Sequence, residues 1–264
     1  MKALLLAAGR GTRLRPYSDL LPKCLMPIQG KILMDYWFCQ LEQAGITSYV
    51  VNTHYMADMV RLYLSRHRLG SKITITHEEL LLNTGGTLLA NRQALQDEAF
   101  MLVHADNLSI CDFGAFIHAH HSRPAGTIMT AMTFDAPDPT QCGIFEIDDY
   151  GVAQSFHEKV SDPPGCLANG AVYIIEPEIF DYLEGLGKQE IDFSCEVIPA
   201  FMGKINTFHN ADYHRDIGTP ESLLQAQTDG LGPGSCASSE SGQQAMSHDQ
   251  LRTRVEKMAI TLSQ

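Results

Sequence analysis

The 264-residue sequence has few basic residues: 19 lysines and arginines stand against 31 aspartates and glutamates, which gives a net charge of −12. A general nucleic-acid-binding protein needs a basic face, so this balance argues against that class of partner. It still allows an anionic small-molecule ligand, because a few local lysines and arginines can hold phosphates inside an acidic protein.

Long apolar runs are also absent, since no stretch approaches the roughly 18 apolar residues of a membrane span. The apolar residues Ala3 to Ala8 are followed at once by arginines, which favours a buried first strand over a signal peptide. The seven cysteines are scattered, odd in number and without a C-x-x-C pair. This usage is typical of a reducing compartment rather than of a disulfide framework or a zinc site. We therefore expect a cytoplasmic protein without a membrane partner.

The first half of the sequence alternates short apolar runs with amphipathic stretches of helical length. This rhythm predicts an α/β protein with a doubly wound, mostly parallel, Rossmann-like sheet, in which ligands bind at the carboxyl ends of the strands. The predicted strands are Lys2–Leu6, Ser48–Asn52, Ile73–Thr76 and Phe100–His104, and the predicted helices are Ile32–Ala44, Met56–Arg66 and Gly86–Leu95.

The second half is richer in strands and predicts a β-rich insertion. Asp148–Gly151 is interpreted as the turn of a hairpin. In the segment Asp216–Glu221 a strand ends and a helix begins, because Thr219 suits the N-cap and Pro220 the first helical position. The other predicted strands are Gly126–Phe134, Gly143–Ile147, Val152–His157, Ala171–Ile175 and Ile205–His209, and the predicted helices are Pro177–Leu183 and Ser194–Met202.

Composition divides the chain into three segments. Residues 1–227 predict one folded domain. Residues 228–247 are rich in glycine, serine and glutamine, which predicts a flexible linker. Residues 248–264 predict a short amphipathic helix that docks either on the domain or on another subunit.

A glycine-containing loop from Leu6 to Leu14 follows the first predicted strand and reads Leu-Ala-Ala-Gly-Arg-Gly-Thr-Arg-Leu. Small residues let backbone N–H groups approach an anion or a planar base closely, and Arg13 can neutralise a polyphosphate. The loop is not a Walker A motif, and Leu14 replaces the third glycine of the dinucleotide fingerprint. Lys23 can reach the same place if the loop folds back.

Together with the motifs that follow it, this loop resembles the sugar-1-phosphate nucleotidyltransferase family. The motifs are Leu5 to Pro16, Pro22-Lys23-x-Leu25-x-Pro27-Ile28, Asn83-Thr84-Gly85-Gly86, His104-Ala105-Asp106-Asn107, Glu158-Lys159, Asn169-Gly170-Ala171 and Asp216-Ile217-Gly218-Thr219-Pro220. They occur in the family's order over about Met1 to Gln227. The resemblance therefore makes residues 1–227 the expected catalytic domain, with the β-rich insertion as its sugar-binding part. Members similar to mannose-1-phosphate guanylyltransferase look nearest.

The resemblance implies that a sugar-1-phosphate oxygen attacks the α-phosphorus of an NTP and that pyrophosphate leaves in line. The attacking oxygen is already anionic, so the site must supply charge neutralisation, alignment and Mg²⁺ rather than a general base. The acids that match Asp106 and Asp216 hold the metal in the family. Arg13 resembles the arginine that neutralises the NTP phosphates, and Lys23 resembles the lysine that bridges the reacting phosphates. These two are the expected catalytic residues.

The resemblance also assigns residues to the sugar and the base. Lys159 resembles the lysine that grips the sugar phosphate, and Glu78 aligns with the residue that reads the Watson–Crick edge of the base. A carboxylate accepts from guanine N1–H and N2–H more naturally than it complements uracil, which favours GTP. The expected nucleotide-binding residues are Ala7, Ala8, Gly9, Gly11, Thr12, Glu78, Asn83, Gly85 and Gly86. The expected sugar-phosphate-binding residues are Asp106, Gly143, Glu158, Lys159, Asn169 and Gly170.

The favoured function is Mg²⁺-dependent synthesis of GDP-mannose or a GDP-heptose from GTP and the sugar 1-phosphate, with a homodimer expected by analogy. Uridylyl-, thymidylyl- and cytidylyltransferases of the same family are the alternatives. A glycosyltransferase is disfavoured because Asn107 and Leu108 follow Asp106 in place of a D-x-D motif. A non-catalytic subunit that binds nucleotide sugars is disfavoured because both aspartates and Lys23 are present.

Two further features are interpreted without a ligand. His118, His120 and His121 predict surface histidines of a helix rather than a metal site, since no acidic ligand is patterned nearby. Cys24 lies next to Lys23, which predicts a reactive thiol if the lysine lowers its pKa.

Overall fold

The computed structural model describes residues 1–232 and 246–263 and groups them into two compact units. The first unit comprises Met1–Leu4, Leu80–Val103 and Asp112–Ala211, and the second comprises Leu5–Glu79, His104–Cys111 and the described part of Asp212–Gln264. Residues 233–245 of the predicted linker lie outside the described residues. Strands alternate with helices, and both parallel and antiparallel strand pairs occur, which confirms the predicted α/β class.

The strands and helices are numbered in chain order. The strands are β1 (Lys2–Leu6), β2 (Pro27–Ile28), β3 (Lys31–Ile32), β4 (Ser48–Thr53), β5 (Ile73–His77), β6 (Phe100–His104), β7 (Asn107–Ile110), β8 (Met129–Asp135), β9 (Gly143–Ile147), β10 (Ala153–Glu158), β11 (Leu167–Ile175), β12 (Ile205–His209) and β13 (Tyr213–Asp216). The helices are α1 (Leu33–Gln43), α2 (Ala57–Arg66), α3 (Asn83–Ala90), α4 (Arg92–Leu95), α5 (Phe113–His121), α6 (Ile179–Gly185), α7 (Pro220–Ala226) and α8 (His248–Ser263).

The first unit is built around the long strand β11. This strand pairs antiparallel with β6, β8 and β9, and β12 pairs parallel with β8. The strands β9 and β10 form the predicted hairpin, where Asp148 Oδ1 accepts from the backbone N–H groups of Tyr150 and Val152, each at 2.9 Å. The β-rich segment predicted from the second half of the sequence is therefore present.

The second unit carries the parallel pair β4 and β5, in which Tyr49 lies opposite Ile73 and Thr53 opposite His77. Helix α7 begins as predicted, since Thr219 Oγ1 accepts from the backbone N–H of Ser222 at 3.2 Å and Pro220 follows the cap.

Helix α8 packs against the rest of the second unit. Leu251 and Val255 are fully buried, and Tyr17 Oη lies 3.0 Å from His248 Nδ1. In the described part of the chain, no helix combines the length and the apolar character needed to cross a membrane.

Two predicted helices are broken in the structure. The stretch predicted as Gly86–Leu95 begins earlier, as α3, and is interrupted at Asn91, whose side-chain Nδ2 donates to the Thr87 carbonyl at 2.8 Å. The stretch predicted as Ser194–Met202 consists of a π-helical turn over Phe193–Val197 and a 3₁₀ turn over Pro199–Phe201. Pro199 lacks the N–H that a continuous helix needs.

The prediction of surface histidines is wrong for His120. Its side chain is fully buried, with Nδ1 2.9 Å from Thr130 Oγ1 and Nε2 3.3 Å from Glu176 Oε1. Glu176 also pairs with Arg123. Burial, with the charges of Arg123 and His121, lowers the pKa of His120 to about 3. The histidine is therefore a neutral part of the core that ties α5 to β8.

Candidate active site

The short antiparallel ladder of β7 and β13 brings two distant acids together. Asp106 directly precedes β7, and Asp216 is the last residue of β13. The register places Asp216 opposite Asn107, the neighbour of Asp106. The sequence alone could not predict this pairing, because β7, at four residues, is too short to give a clear strand pattern.

Helix α1 holds β7 in position. Trp37 Nε1 donates to the Asn107 carbonyl at 2.9 Å. Gln40 Nε2 donates to the Ser109 carbonyl at 2.9 Å, and its Oε1 accepts from the Cys111 N–H at 3.1 Å. Both side chains are buried. The buried amide of Gln40 therefore replaces a neighbouring strand along this edge of β7, which fixes the backbone that carries Asp106.

Lys23 lies between the two acids. Its Nζ atom is 3.1 Å from Asp106 Oδ2 and 2.7 Å from Asp216 Oδ1, and only 7% of its side chain is exposed. The loop folds back as the sequence analysis required, because a Cβ on Gly11 would lie 3.5 Å from Lys23 Cβ. Gly11 has a φ of +59°, which glycine adopts without strain.

Arg13 completes the cluster from the exposed side. Its Nη2 lies 3.3 Å from Asp216 Oδ2, and 70% of its side chain is exposed. A Cβ on Gly218 would lie 2.9 Å from both Asp216 carboxylate oxygens and 3.0 Å from Arg13 Nη2. Glycine at this position therefore lets the carboxylate and the guanidinium approach each other. The arginine keeps donors that face solvent, where an anionic ligand can reach them.

The start of the glycine loop lies beside Asp106. The backbone N–H of Ala105 donates to the Leu6 carbonyl at 3.1 Å, and a Cβ on Gly9 would lie 3.9 Å from Asp106 Oδ2. Ala8 is buried, and Thr12 is exposed in a 3₁₀ turn over Thr12–Leu14. The structure thus groups the loop with the acids in the second unit.

The charges of the cluster stabilise each other. Burial alone would lower the pKa of Lys23, but the charges of Asp106 and Asp216 and the hydrogen bonds to them outweigh it and raise this pKa. Burial would raise the pKa of Asp216, but Lys23 and Arg13 lower it below its ordinary range. At neutral pH the lysine is therefore an ammonium and Asp216 a carboxylate.

The cluster suits a hard divalent cation. Oxygens of two carboxylates lie within 3.1 Å of a single nitrogen, so they already converge on one positive charge. Within residues 1–232 and 246–263, no three His, Cys, Asp or Glu side chains form a group that could hold a metal ion. A Mg²⁺ ion held by Asp106 and Asp216 would therefore need water or substrate oxygens as further ligands, which is the usual pattern for this ion.

Glu78 is buried in the second unit and belongs to a chain of hydrogen bonds that starts at the glycine loop. The backbone N–H of Ala7 donates to Asn52 Oδ1 at 2.7 Å, and Asn52 Nδ2 donates to Glu78 Oε1 at 2.9 Å. Sequence reasoning missed Asn52, which it treated only as the end of a strand. A polar residue at the carboxyl end of a buried strand was the available signal.

The glycines at the start of α3 pack against their own unit. A Cβ on Gly85 would lie 2.6 Å from Ile191 Cγ2, and a Cβ on Gly86 would lie 2.0 Å from the Gln189 carbonyl oxygen. The N–H of Gly85 donates to the Ile191 carbonyl at 2.9 Å. Asn83 opens the helix with a φ of +60°. Close packing of the segment 189–191 therefore accounts for both glycines, and their part in nucleotide binding stays a prediction.

Three of the expected sugar-phosphate-binding residues lie together on the hairpin of β9 and β10. Gly143 is opposite Glu158, and a Cβ on it would lie 2.6 Å from Glu158 Oε2. Lys159 Nζ lies 3.1 Å from Glu158 Oε1. Lys159 has a φ of +50°, a strained backbone conformation for a residue with a side chain. The hairpin thus presents an acid and a base side by side.

Two more of these residues, Asn169 and Gly170, lie at a bulge in β11, next to the hairpin. Asn169 Nδ2 lies 2.6 Å from Tyr173 Oη, and its Oδ1 accepts from the Ala171 N–H at 3.1 Å. The register of β11 with β8 shifts between Asn169 and Tyr173. A Cβ on Gly170 would lie 3.2 Å from the Met132 carbonyl oxygen, so a larger residue would disturb the bulge.

The expectation of a reactive Cys24 is wrong. The thiol is buried, and this burial, with the nearby charge of Asp106, raises its pKa to about 12. Only the thiolate is nucleophilic, so Cys24 is inert at neutral pH.

The family described as "Nucleotidyl transferase" matches residues 2–231 of the sequence, which include every residue of the cluster. The chain belongs to this family. The matched residues belong to both units. The resemblance found in the motifs therefore extends over both units of the nucleotidyl transferase.

Relatives of this nucleotidyl transferase are named for different nucleotide substrates. A mannose-1-phosphate guanylyltransferase from Mycobacterium tuberculosis is 29% identical over 94% of the chain and 70% of its own length. A UTP–glucose-1-phosphate uridylyltransferase from Synechocystis is 29% identical over 86% of the chain. The chain spans 62% of that relative's length. The family is therefore fixed, while the base and the sugar are not.

A solved structure shows the same fold. A candidate glucose-1-phosphate thymidylyltransferase from Bacillus anthracis, in complex with a sucrose, matches this nucleotidyl transferase with a TM-score of 0.77 at 20% identity. The match covers 86% of this chain and 94% of that chain.

Proposed function

We propose that this nucleotidyl transferase transfers a nucleotidyl group from an NTP to a sugar 1-phosphate, with GTP and mannose 1-phosphate as the favoured pair and a heptose 1-phosphate as the next sugar. The observation that carries the proposal is the position of Lys23 Nζ, within 3.1 Å of carboxylate oxygens of both Asp106 and Asp216. A buried ammonium between two acids, beside an exposed arginine, is suited to a phosphate-transfer site.

The side chains have separate tasks in this reaction. Arg13 neutralises the triphosphate, because its guanidinium is exposed and offers several donors. Lys23 holds the reacting phosphate oxygens and stabilises the charge that develops on them. The sugar phosphate brings its own anionic nucleophile, so no side chain has to remove a proton. Alignment and charge stabilisation then supply the catalysis.

Asp106 and Asp216 would hold Mg²⁺. When bound there, the ion supplies charge neutralisation and helps to orient the phosphates. The two carboxylates contribute oxygen ligands at a place where the protein already concentrates negative charge.

The preference for GTP rests on Glu78. Its carboxylate accepts a hydrogen bond from Asn52 and offers acceptors for guanine N1–H and N2–H. The guanylyltransferase name of the mycobacterial relative supports the same base. A uridylyl-, thymidylyl- or cytidylyltransferase is the alternative. Glu158, Lys159 and Asn169 are proposed to contact the sugar phosphate.

The test is a panel of GTP, UTP, dTTP and CTP, each combined with mannose 1-phosphate, glucose 1-phosphate and a heptose 1-phosphate, with Mg²⁺ and a pyrophosphate assay. We expect pyrophosphate release with GTP and either mannose 1-phosphate or the heptose 1-phosphate. Release should disappear in D106N and persist in D58N, whose aspartate is 98% exposed and forms an ion pair with Arg61. No release with any pair would overturn the proposed activity. Sedimentation of the same sample tests the expected homodimer.

A further inference from the structure

The hydrogen-bond chain from Ala7 through Asn52 to Glu78 fixes which way each polar group points. Building on the proposed GTP specificity, we propose that Asn52 is a positioning residue that holds Oε1 of Glu78, so that Oε2 accepts from guanine. Asn52 thereby sets the polarity of position 78, that is, which hydrogen-bonding atom of its side chain faces Asn52 and which faces the base. The three residues are 2–7% exposed, so water does not compete for these bonds.

The orientation of the Asn52 amide follows from its first partner. A backbone N–H can only donate, so the atom that faces Ala7 at 2.7 Å must be the oxygen, Oδ1. The nitrogen, Nδ2, then faces Glu78, and it can only donate. Position 78 must therefore turn an oxygen towards Asn52, as Glu78 Oε1 does at 2.9 Å.

The backbone at position 78 is fixed as well. The N–H of Glu78 donates to the Thr53 carbonyl at 2.9 Å, and the Glu78 carbonyl oxygen lies 2.9 Å from His54 Nδ1. The last residue of β4 and the residue after it therefore hold the main chain at position 78, so its side chain leaves the backbone from a fixed point beside Asn52. Asn52 decides that polarity.

In the wild type this effect of Asn52 cannot be observed, because both oxygens of the Glu78 carboxylate accept. A glutamine would reveal it. In E78Q the amide oxygen must take the place of Oε1 and face Asn52, so the amide nitrogen takes the place of Oε2. An acceptor then becomes a donor. Such a donor clashes with the N1–H of guanine and complements a carbonyl oxygen of uracil.

A swap of the two side chains should reverse the effect. In the N52D/E78Q double variant, position 52 has only acceptors and still accepts from the Ala7 N–H. The glutamine amide nitrogen then turns towards position 52, and its oxygen returns to the place of Oε2. Asparagine and aspartate have nearly the same shape, and the double variant keeps the net charge of the wild type.

The experiment measures equilibrium binding of GTP and of UTP, each with Mg²⁺, to the wild type, E78Q and N52D/E78Q by titration calorimetry. We expect the ratio of the two dissociation constants to shift towards UTP by at least about 10-fold in E78Q and to return towards GTP in the double variant. N91A, which removes a buried amide bond to Thr87, is the matched control and should leave the ratio unchanged.

The outcomes separate the two proposals. If the double variant keeps the ratio of E78Q, or if the wild type binds both nucleotides equally, Asn52 does not set the polarity, although pyrophosphate release by the wild type would leave the proposed transferase activity intact. If the wild type binds neither nucleotide, the role of Asn52 and the preference for GTP both fail, and the pyrophosphate panel alone decides the transferase activity. Far-ultraviolet circular dichroism checks that each variant is folded. Should N52D/E78Q unfold, N52A/E78Q replaces it. Without the Asn52 donor the glutamine can turn its oxygen towards the base, so a ratio that stays at the E78Q value overturns the proposal.

Discussion

The Nζ atom of Lys23 lies 2.7 Å from Oδ1 of Asp216, although 193 positions separate the two residues in the sequence. The same nitrogen contacts Asp106, so one buried cation neutralises two acids that come from different parts of the chain. Each member of this group therefore helps to hold the others in position.

Replacement of Lys23 by methionine should reduce kcat by about 100-fold or more, because the loss of one positioned donor to a developing charge has an effect of that size. The matched control is K72M, since Lys72 is 46% exposed and lies 3.7 Å from Glu42. Steady-state rates of pyrophosphate release measure both. A K23M enzyme within a few-fold of the wild type would show that Lys23 does not touch the reacting phosphates.

The D216N variant should need a higher Mg²⁺ concentration for half-maximal rate, by at least about 10-fold, because an amide is a weaker ligand than a carboxylate for this hard cation. Initial rates as a function of Mg²⁺ concentration measure the shift. The variant D58N serves as the control for loss of one surface charge. An unchanged Mg²⁺ dependence in D216N would remove this residue from the metal site.

His120 should make the free energy of unfolding depend on pH. The pKa of His120 is about 3 in the folded protein and near 6.5 in an unfolded chain. The unfolded state therefore binds a proton first as the pH falls. His120 therefore leaves the free energy of unfolding unchanged above about pH 6.5. Between about pH 6.5 and pH 3 it lowers the free energy of unfolding by about 1.4 kcal/mol per pH unit.

Urea denaturation at pH 7.5 and pH 5.0 measures this contribution. The H120Q variant should lose part of the pH dependence, while H121Q, which changes an exposed neighbour, should keep it. Equal slopes for all three proteins would mean that His120 titrates in the same way whether the chain is folded or not.

The docking of α8 depends on its buried face. L251A should weaken it by about 2–5 kcal/mol, the usual cost of truncating a buried leucine. Trypsin should then cut faster after Arg252 and Arg254. I260A is the control, since Ile260 is 60% exposed and its truncation should leave the cleavage rate unchanged. Equal cleavage of the wild type and L251A would show that Leu251 does not hold the helix.

Regular elements with a strong local pattern were predictable from the sequence. The strands β1, β6, β9 and β12 have the predicted bounds. The apolar residues that repeat every second or every third to fourth position decide such elements locally. The breaks at Asn91 and Pro199 were missed because a helical pattern of apolar residues continues through both positions.

The residue types of the site were predictable from the sequence, but its hydrogen-bond network was not. The motifs pointed to Arg13, Lys23, Asp106 and Asp216, and the structure brings these four together. Asn52 could not be found in this way, because its role depends on hydrogen bonds to Ala7 and Glu78 rather than on a motif. Buried His120 was missed because nothing local distinguishes it from its exposed neighbour.

The ladder of β7 and β13 has a consequence for how such a chain can change over time. Asp106 and Asp216 keep their spacing through four paired positions that end at the Asp216–Asn107 pair. The ladder lies within the second unit, whereas Asp112–Ala211 belong to the first, so insertions or deletions in that segment can leave the pairing of the two acids unchanged. A single-residue insertion inside either strand would instead turn one acid to the opposite face of the ribbon.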